Sequence, residues 1–339
     1  MRNFRNLMVL SAVLAFAGCA KTESVKVEGE KAAGALGNLT VSVCPDVPKA
    51  RAVVDYQKAL TEESAVFKVD VMVFDAQTQR LEQSASLESF SQECSFELPV
   101  GQKVVYALVN GPDVSRLQNV SQLLALNDDL ATRSLAQDGF MMLGSEECNV
   151  VAGSVAQPEI MVRRLVSRIE LRSVKCDVAA QYGGMTVESV FLGNAYSIQT
   201  LAGDVSAMVN LGGYADSQKT QPIGLDGVTG VCPGYMYRGV AKNLTTGASM
   251  TEPSFMYCHP NGSAEYTCLY ILATVGGEKY YYRVPFDKGL AGNTTYIVDA
   301  VITNLGAPLP PDGVIQKGEI KATITIADWE IGDSYHAEF

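Results

Sequence analysis

The stretch V-F-K-V-D-V-M-V-F, residues 66–74, decides the fold class of this 339-residue chain. Its apolar side chains recur at every second position, and the four that share one predicted face are Phe67, Val69, Val71 and Val73. Lys68 and Asp70 fall on the opposite face. A period of two residues is typical of a β-strand with one buried and one solvated side, so the pattern predicts a strand here.

This pattern repeats along the rest of the chain. Alternation, or a short apolar run between turn residues, predicts further strands over 39–43, 95–99, 103–110, 159–173, 187–195, 266–275, 279–286, 295–303 and 319–329. Residues 116–126 have helical spacing and predict one short amphipathic helix, whereas 203–263 is Gly-rich with little periodicity. Many short strands with turn-rich connections and almost no helix predict an all-β protein of two sandwiches.

The N-terminus has the features of an export signal. Arg2 and Arg5 precede a ten-residue, largely apolar segment, Leu7–Phe16, which as a helix would rise only about 15 Å and so would not span a bilayer core. The sequence Phe-Ala-Gly-Cys that follows resembles a bacterial lipobox. That resemblance implies that residues 1–18 are removed and that Cys19 is lipidated as the first mature residue. An ordinary secretory signal ending near a cysteine is the alternative.

Composition and motifs argue against several classes of function. A formal net charge of −11 disfavours binding to nucleic acid or to an anionic membrane surface. The eight cysteines include no CxxC pair and the chain has only two histidines, so no structural zinc site is expected. Cys258 and Cys268 are expected either to form a hairpin disulfide or to lie in a core. GxSxG, P-loop, HExxH and GxGxxG motifs are absent, so we expect no catalytic residue, cofactor or metal.

Several segments together resemble the fimbrillin family, the type V pilins of Bacteroidales. They are the lipobox with its polar tether, the strand 39–43 and the loop containing Arg51-Ala52, the strands at 66–76 and 106–110, and the C-terminal strands at 290–298 and 322–330. The C-terminal strands read L-A-G-N-T-T-Y-I-V and A-T-I-T-I-A-D-W-E, and an Asn-Thr-x-Tyr strand with a closing T-I-x-x-W strand is typical of that family.

The resemblance implies two tandem transthyretin-like β-sandwich domains, with a short helix in the first. The implied ranges are 1–18 for the signal peptide, 19–51 for a lipidated tether and removable first strand, 52–160 for the N-terminal sandwich, and 161–339 for the C-terminal sandwich with its terminal strand. An arginine-specific protease would cut between Arg51 and Ala52, in a polar, proline-flanked loop that is accessible to proteases. The removed strand would carry Leu39, Val41 and Val43.

A strand of a neighbouring subunit would then fill the vacated groove. The candidate donor residues lie in the C-terminal segment and are Ile324, Ile326, Trp329, Tyr335 and Phe339. The implied function is a fimbrial subunit or a tip or accessory adhesin, anchored in the cell outer membrane as a lipidated precursor and located in a fimbrium after processing. The implied partners are other fimbrial subunits, the protease, and a host protein or glycan.

Three alternatives remain open at this point. A cut by a trypsin-like enzyme after Lys49 is equally compatible with the loop. The tail could complete its own domain, which would suit a tip or accessory subunit better than a stalk subunit. The whole chain could also be a monomeric surface lipoprotein that binds glycan or host protein through 203–263 without polymerising.

Overall fold

Strands form nearly all of the regular structure in the computed structural model, which describes residues 35–46, 60–209, 234–308 and 320–329. The predicted fold class, an all-β protein of tandem sandwiches with a short helix in the first, is confirmed.

The two α-helices of the described residues are both short: α1 (Val120–Leu124) and α2 (Leu135–Asp138). The first lies within the predicted helix 116–126. It begins at Val120 because the Asn119 side chain accepts a hydrogen bond from the Gln122 amide at 2.9 Å, which satisfies a backbone donor that the first turn leaves unpaired.

The first half of the chain forms one eight-stranded sheet that curls around a core. The strands of this half are β1 (Leu36–Pro45), β2 (Val69–Asp75), β3 (Leu81–Leu87), β4 (Cys94–Pro99), β5 (Gly101–Val109), β6 (Asn127–Asp129), β7 (Met142–Val150), β8 (Val155–Ala156) and β9 (Glu159–Arg164). The hydrogen-bonded order is β3-β2-β5-β7-β9-β1-β4, and β8 also pairs with β1. Inward side chains of β1 and β4 share one apolar core with those of β2, β5, β7 and β9, so the curled sheet is the first sandwich.

The second half forms two sheets that face each other. Its strands are β10 (Ser167–Cys176), β11 (Met185–Gly193), β12 (Ala195–Thr200), β13 (Val205–Val209), β14 (Tyr237–Leu244), β15 (Ser249–Met250), β16 (Ser254–Cys258), β17 (Cys268–Val275), β18 (Glu278–Pro285), β19 (Thr294–Ile302) and β20 (Ile320–Asp328). One sheet has the order β15-β10-β19-β20, with β16 also on β10, and the other has the order β14-β11-β17-β18. Their inner faces share one core, which makes the second sandwich.

A third, small sheet and a short crossover connect the two halves. The strand β6 pairs with β12, which pairs with β13, so the small sheet takes strands from both halves. The chain passes from β9 to β10 at residues 165–166, and these two strands belong to different sandwiches. By this topology β9 belongs with the first sandwich, whereas the domain ranges 52–160 and 161–339 divide it between the two.

The stretch 66–74 differs from its prediction in two ways. The strand β2 begins at Val69, and Phe67, predicted on the inner face, precedes the strand and is 49% exposed. Asp70, predicted on a solvated face, is buried, because the outer side of β2 is covered by the apolar cluster around α1. Its carboxylate accepts a hydrogen bond from Ser86 Oγ at 2.6 Å and pairs with Lys68 Nζ at 2.9 Å.

None of the helices in the described ranges has the length and hydrophobicity needed to cross a membrane.

Candidate functional site

The predicted first strand lies in the interior of the first sandwich sheet. The strand β1 pairs antiparallel with β4 from Leu36 to Val41 and parallel with β9 from Ser42 to Pro45, and it also pairs with β8. Within the described part of the chain, β1 is the one strand whose backbone pairs with β4. We call the cleft that β1 fills, with β4 on one side and β8 and β9 on the other, the first-strand groove.

One face of β1 is an apolar strip that forms part of the core. Leu39, Val41 and Val43 are 0%, 0% and 2% exposed, as their alternation predicted. They lie in a cluster with side chains of the neighbouring and the facing strands, which include Val69, Val71, Phe96, Leu98, Val105, Val150, Ile160 and Val162. The opposite face is polar and partly exposed, and Thr40 Oγ1 lies at hydrogen-bond distance, 3.0 Å, from Ser95 Oγ.

Asp46 fixes the end of β1. Its amide donates to the Val162 carbonyl at 2.9 Å, and its carboxylate accepts from Arg163 Nε at 2.5 Å. Arg51 and Ala52, the predicted cleavage pair, lie outside the described residues, as does Cys19, the predicted lipidation site.

Residues that follow the loop are anchored where the two sandwiches meet. The Glu63 carboxylate is buried and accepts hydrogen bonds from Arg168 Nε at 3.0 Å and from the Tyr257 hydroxyl. The Glu63 carbonyl accepts from Arg164 Nε and Nη2 at 3.3 and 3.2 Å. Burial, and then the charge of Glu63, raise the pKa of Tyr257, so its hydroxyl keeps the proton that it donates.

Trp329, the last described residue, packs into the same place. Its ring stacks on Tyr257 with centroids 5.8 Å apart and an interplanar angle of 14°, and meets Phe140 edge-on at 5.4 Å. The Arg164 guanidinium carbon lies 4.6 Å from its ring centroid, a cation–π contact. We call Glu63, Arg164, Arg168, Tyr257 and Trp329 the junction cluster.

The strand β20 carries two of the candidate donor residues. It lies at the end of its sheet and pairs antiparallel with β19 over its whole length. Ile324 is 36% exposed. Ile326 also lies on β20, whereas Tyr335 and Phe339 are outside the described residues. The structure therefore places Trp329 in the junction cluster and Ile324 on an accessible side of the edge strand.

A second buried polar group lies where the small sheet packs on the second sandwich. His259 Nε2 is 3.2 Å from the Asp128 carbonyl oxygen, and the Asp128 carboxylate accepts from Arg133 Nε at 2.7 Å. Burial lowers the pKa of His259 from its usual 6.5, and this effect exceeds the opposing one of the Asp128 charge. His259 is therefore neutral in the folded protein at neutral pH.

The six cysteines in the described ranges are all free. Cys258 and Cys268, expected in a hairpin disulfide or a core, are both buried and unpaired with each other. Burial raises the pKa of both thiols, which keeps them protonated. No group of three or more His, Cys, Asp or Glu side chains within the described residues is arranged to hold a metal ion.

The sequence did not reveal the junction cluster. Arg168 and Glu170 alternate with apolar residues of β10, a pattern typical of a solvated strand face, but both are buried. Glu63 lies in the polar run T-E-E-S, where no local pattern distinguishes it from its exposed neighbour Glu62. The available signal for the junction cluster was that charged residues occur in segments on both sides of this junction. Buried ions need partners, and those partners come from elsewhere in the chain.

The comparisons with known proteins give a match through structure alone. Neither the family models nor the curated proteins match this sequence. A protein assigned to cell adhesion from Bacteroides eggerthii DSM 20697 superposes with a TM-score of 0.61 and 17% identity, covering 89% of this chain and 98% of that one. A fimbrilin from Porphyromonas gingivalis W83 gives a TM-score of 0.59 and 16% identity, covering 87% and 98%. The fold is that of the fimbrillins.

A third structure with the fimbrillin fold is the tip fimbrial protein Mfa3 from Porphyromonas gingivalis, with a C-terminal truncation. It superposes with a TM-score of 0.51 and 16% identity, covering 87% of this chain and 100% of that one. At such identities the similarity establishes the fimbrillin fold, and function has to be argued from the groove and its surroundings.

Proposed function

We propose that this chain is a fimbrial subunit, or a tip or accessory adhesin, that assembles at a bacterial cell surface by donor-strand exchange triggered by proteolysis. The observation that carries the proposal is the place of β1, an early strand that fills a groove in the first sandwich and is the strand partner of β4. The fimbrillin fold supports it, since structures with that fold include a fimbrilin and a tip fimbrial protein.

An empty first-strand groove is energetically costly, and this cost would drive assembly. Full burial of a Val or Leu side chain is worth about 1.5–3 kcal/mol, so the three inward residues of β1 represent about 4–9 kcal/mol of apolar burial. Loss of β1 also leaves the backbone groups of β4 without their strand partner. A strand from a second copy restores both contributions by β-strand addition.

Strand exchange between copies joins two different surfaces, a groove and a donor segment. Such a contact is head-to-tail, and it builds an open filament when the rotation between copies does not close a ring. The donor that we propose is the C-terminal segment with Ile324, Ile326, Trp329, Tyr335 and Phe339, because β20 is an edge strand paired with β19. Donation requires Trp329 to leave the junction cluster. A copy whose β20 stays in place accepts a strand and gives none, which suits a tip or accessory position.

Processing would convert an anchored precursor into an assembling subunit. In the precursor, lipidated Cys19 holds the chain in the outer membrane, with other fimbrial subunits and a host protein or glycan as later partners. Cleavage between Arg51 and Ala52 by an arginine-specific protease removes the lipid anchor together with β1. The new N-terminal segment stays attached to the fold, because Glu63 is bound to Arg168 and Tyr257.

The test is to treat the lipidated precursor with an arginine-specific protease. The expected product begins at Ala52 and forms ladders that survive SDS without heating. Arg51→Ala should stay monomeric, and Lys49→Ala, changed two residues upstream, should assemble like the wild type. Polymerisation of Arg51→Ala to the wild-type extent would exclude this mechanism. In a parallel digest with a trypsin-like enzyme, assembly that Lys49→Ala alone blocks would assign the cut to the trypsin-like alternative.

The second candidate function is a monomeric surface lipoprotein that binds glycan or host protein. The pairing of β20 with β19 and the burial of Trp329 favour it, because a tail that completes its own sandwich need not be donated. The N-terminal residue of protein recovered from the cell surface separates the two functions. Cys19 at the N-terminus means an unprocessed anchor, whereas Ala52 means an assembling subunit.

A further inference from the structure

The first inward position of β1 is a glycine, and the groove leaves no room there for a side chain. Gly37 is buried and lies on the same face as Leu39. A Cβ atom built on Gly37 would lie 2.7 Å from Val150 Cγ1 and 2.8 Å from the Val151 carbonyl oxygen, distances that real Cβ contacts essentially never show.

The obstruction at Gly37 cannot move aside easily. The Val151 carbonyl accepts two hydrogen bonds from Ser154, one from its amide at 3.3 Å and one from its Oγ at 3.1 Å, so the turn after β7 holds it in place. Val150 is itself a buried member of the first-sandwich core. Overpacking at such a site costs stability because the neighbours have no free volume to enter.

The remaining inward positions of β1 require a side chain, and that side chain has to be apolar. Leu39, Val41 and Val43 are fully surrounded by apolar side chains, whereas the outward positions between them carry Asn, Thr and Ser. The groove thus specifies a strand with glycine at its first inward position and apolar residues two, four and six positions later. A shift by one residue puts polar groups in the core, and a shift by two along the groove puts a side chain where only glycine fits.

The C-terminal segment of this chain carries the same spacing. Residues 318–324 read G-E-I-K-A-T-I, so Ile320, Ala322 and Ile324 follow Gly318 at two, four and six positions. Residues 203–209, G-D-V-S-A-M-V, and 262–268, G-S-A-E-Y-T-C, match as well, but they lie outside the proposed donor segment. The donor proposed above is the segment that contains Ile324, which favours 318–324.

We propose that Gly37 acts as a register gate in the first-strand groove, and that residues 318–324 of a second copy, with Gly318 at the gate, are the occupant. The inference rests on the proposed strand exchange, and it goes further by fixing which donor residue lies opposite Val150 and Val151. The alignment places Ile320, Ala322 and Ile324 at the positions of Leu39, Val41 and Val43.

The test uses the full chain, cleaved by an arginine-specific protease in the presence of excess labelled peptide. The peptides span 316–326 in wild-type form, with Gly318→Val, and with Glu319→Val as a matched control at an outward position. Peptide retained in SDS without heating is measured. The wild-type and Glu319→Val peptides should be retained equally, and Gly318→Val about tenfold less or worse. Retention of the Gly318→Val peptide within twofold of the wild-type peptide would contradict the proposed requirement for glycine at this position.

A peptide of β1 itself, residues 35–46, distinguishes a wrong choice of occupant from a failure of strand exchange. If it rebinds while none of the three 316–326 peptides does, the occupant is wrong but strand exchange stands. If no peptide is retained, strand exchange fails and the inference fails with it. An independent readout is the melting temperature of the uncleaved chain, which Gly37→Ala should lower and Asn38→Ala should leave unchanged. Equal melting temperatures of the Gly37→Ala and Asn38→Ala variants would also contradict the proposed steric restriction at Gly37.

Discussion

Replacing Leu39 by Ala in the uncleaved chain should weaken the first sandwich by a predictable amount. The side chain is fully buried in the first-sandwich core, so the substitution removes three carbon atoms from an apolar site. At about 0.8 kcal/mol per buried methylene, the transfer contribution alone is about 2.4 kcal/mol. The cavity left behind adds to this, and buried Leu→Ala substitutions fall between about 2 and 5 kcal/mol.

Urea denaturation followed by tryptophan fluorescence measures this change. The single Trp of the chain, Trp329, lies in the junction cluster, so circular dichroism is needed beside it to report on the first sandwich. The matched control is Asn38→Ala on the same strand, where the side chain is exposed and a change within about 0.5 kcal/mol is expected. A loss below about 1 kcal/mol for Leu39→Ala, or an equal loss for Asn38→Ala, would refute the account of β1 as a core strand.

Three further predictions concern the buried polar groups and the end of β20. Because burial lowers the pKa of His259 below 6.5, the unfolded chain binds the additional proton as pH falls, so stability should drop between pH 6.5 and 5 by up to about 1.4 kcal/mol per pH unit. Urea midpoints measured across this pH range should show the slope reduced in His259→Gln. Glu63→Gln should cost about 3 kcal/mol by removing one of the two carboxylates that pair with buried Arg168, whereas exposed Glu62→Gln should change the unfolding free energy by less than about 0.5 kcal/mol. Trp329→Ala should cost about 3–5 kcal/mol in chemical denaturation, and wild-type stability would contradict the packing described for that ring.

The sequence predicts the strands best where one face is apolar and the other polar. The stretches 39–43 and 95–99 lie in observed strands, and 103–110 does so except for its last residue, because alternation maps directly onto a half-buried sheet. The strand β7 was not predicted, although it is central in the sheet. It reads M-L-G-S-E-E-C-N-V, and most of its middle residues are exposed, so it joins the sheet through backbone pairing with β5.

The candidate site likewise has a part that the local sequence predicts and a part that depends on distant residues. The inward face of β1 follows from local alternation, and Gly37 extends that alternation by one step, so the gate position was within reach of the sequence. The steric restriction at Gly37 could not be predicted from the sequence, because the obstructing atoms belong to Val150 and Val151, more than a hundred residues away. The junction cluster is likewise non-local, since Glu63, Arg168 and Tyr257 meet only after the two sandwiches have packed together.

The pairing of β1 also has a kinetic consequence. The strand β1 finds its neighbours late in synthesis, because they follow it by many residues: Leu36 pairs with Pro99 and Pro45 pairs with Val162. Contacts between residues so far apart in the sequence form slowly, because a long loop must close, at a cost in entropy, before the strand pairing contributes any stabilisation. Until residue 162 is available, an apolar strand with unsatisfied hydrogen-bonding groups stays open to wrong partners. We therefore expect completion of the first sandwich to be the slow step of folding, and the step at which a holding chaperone is most useful.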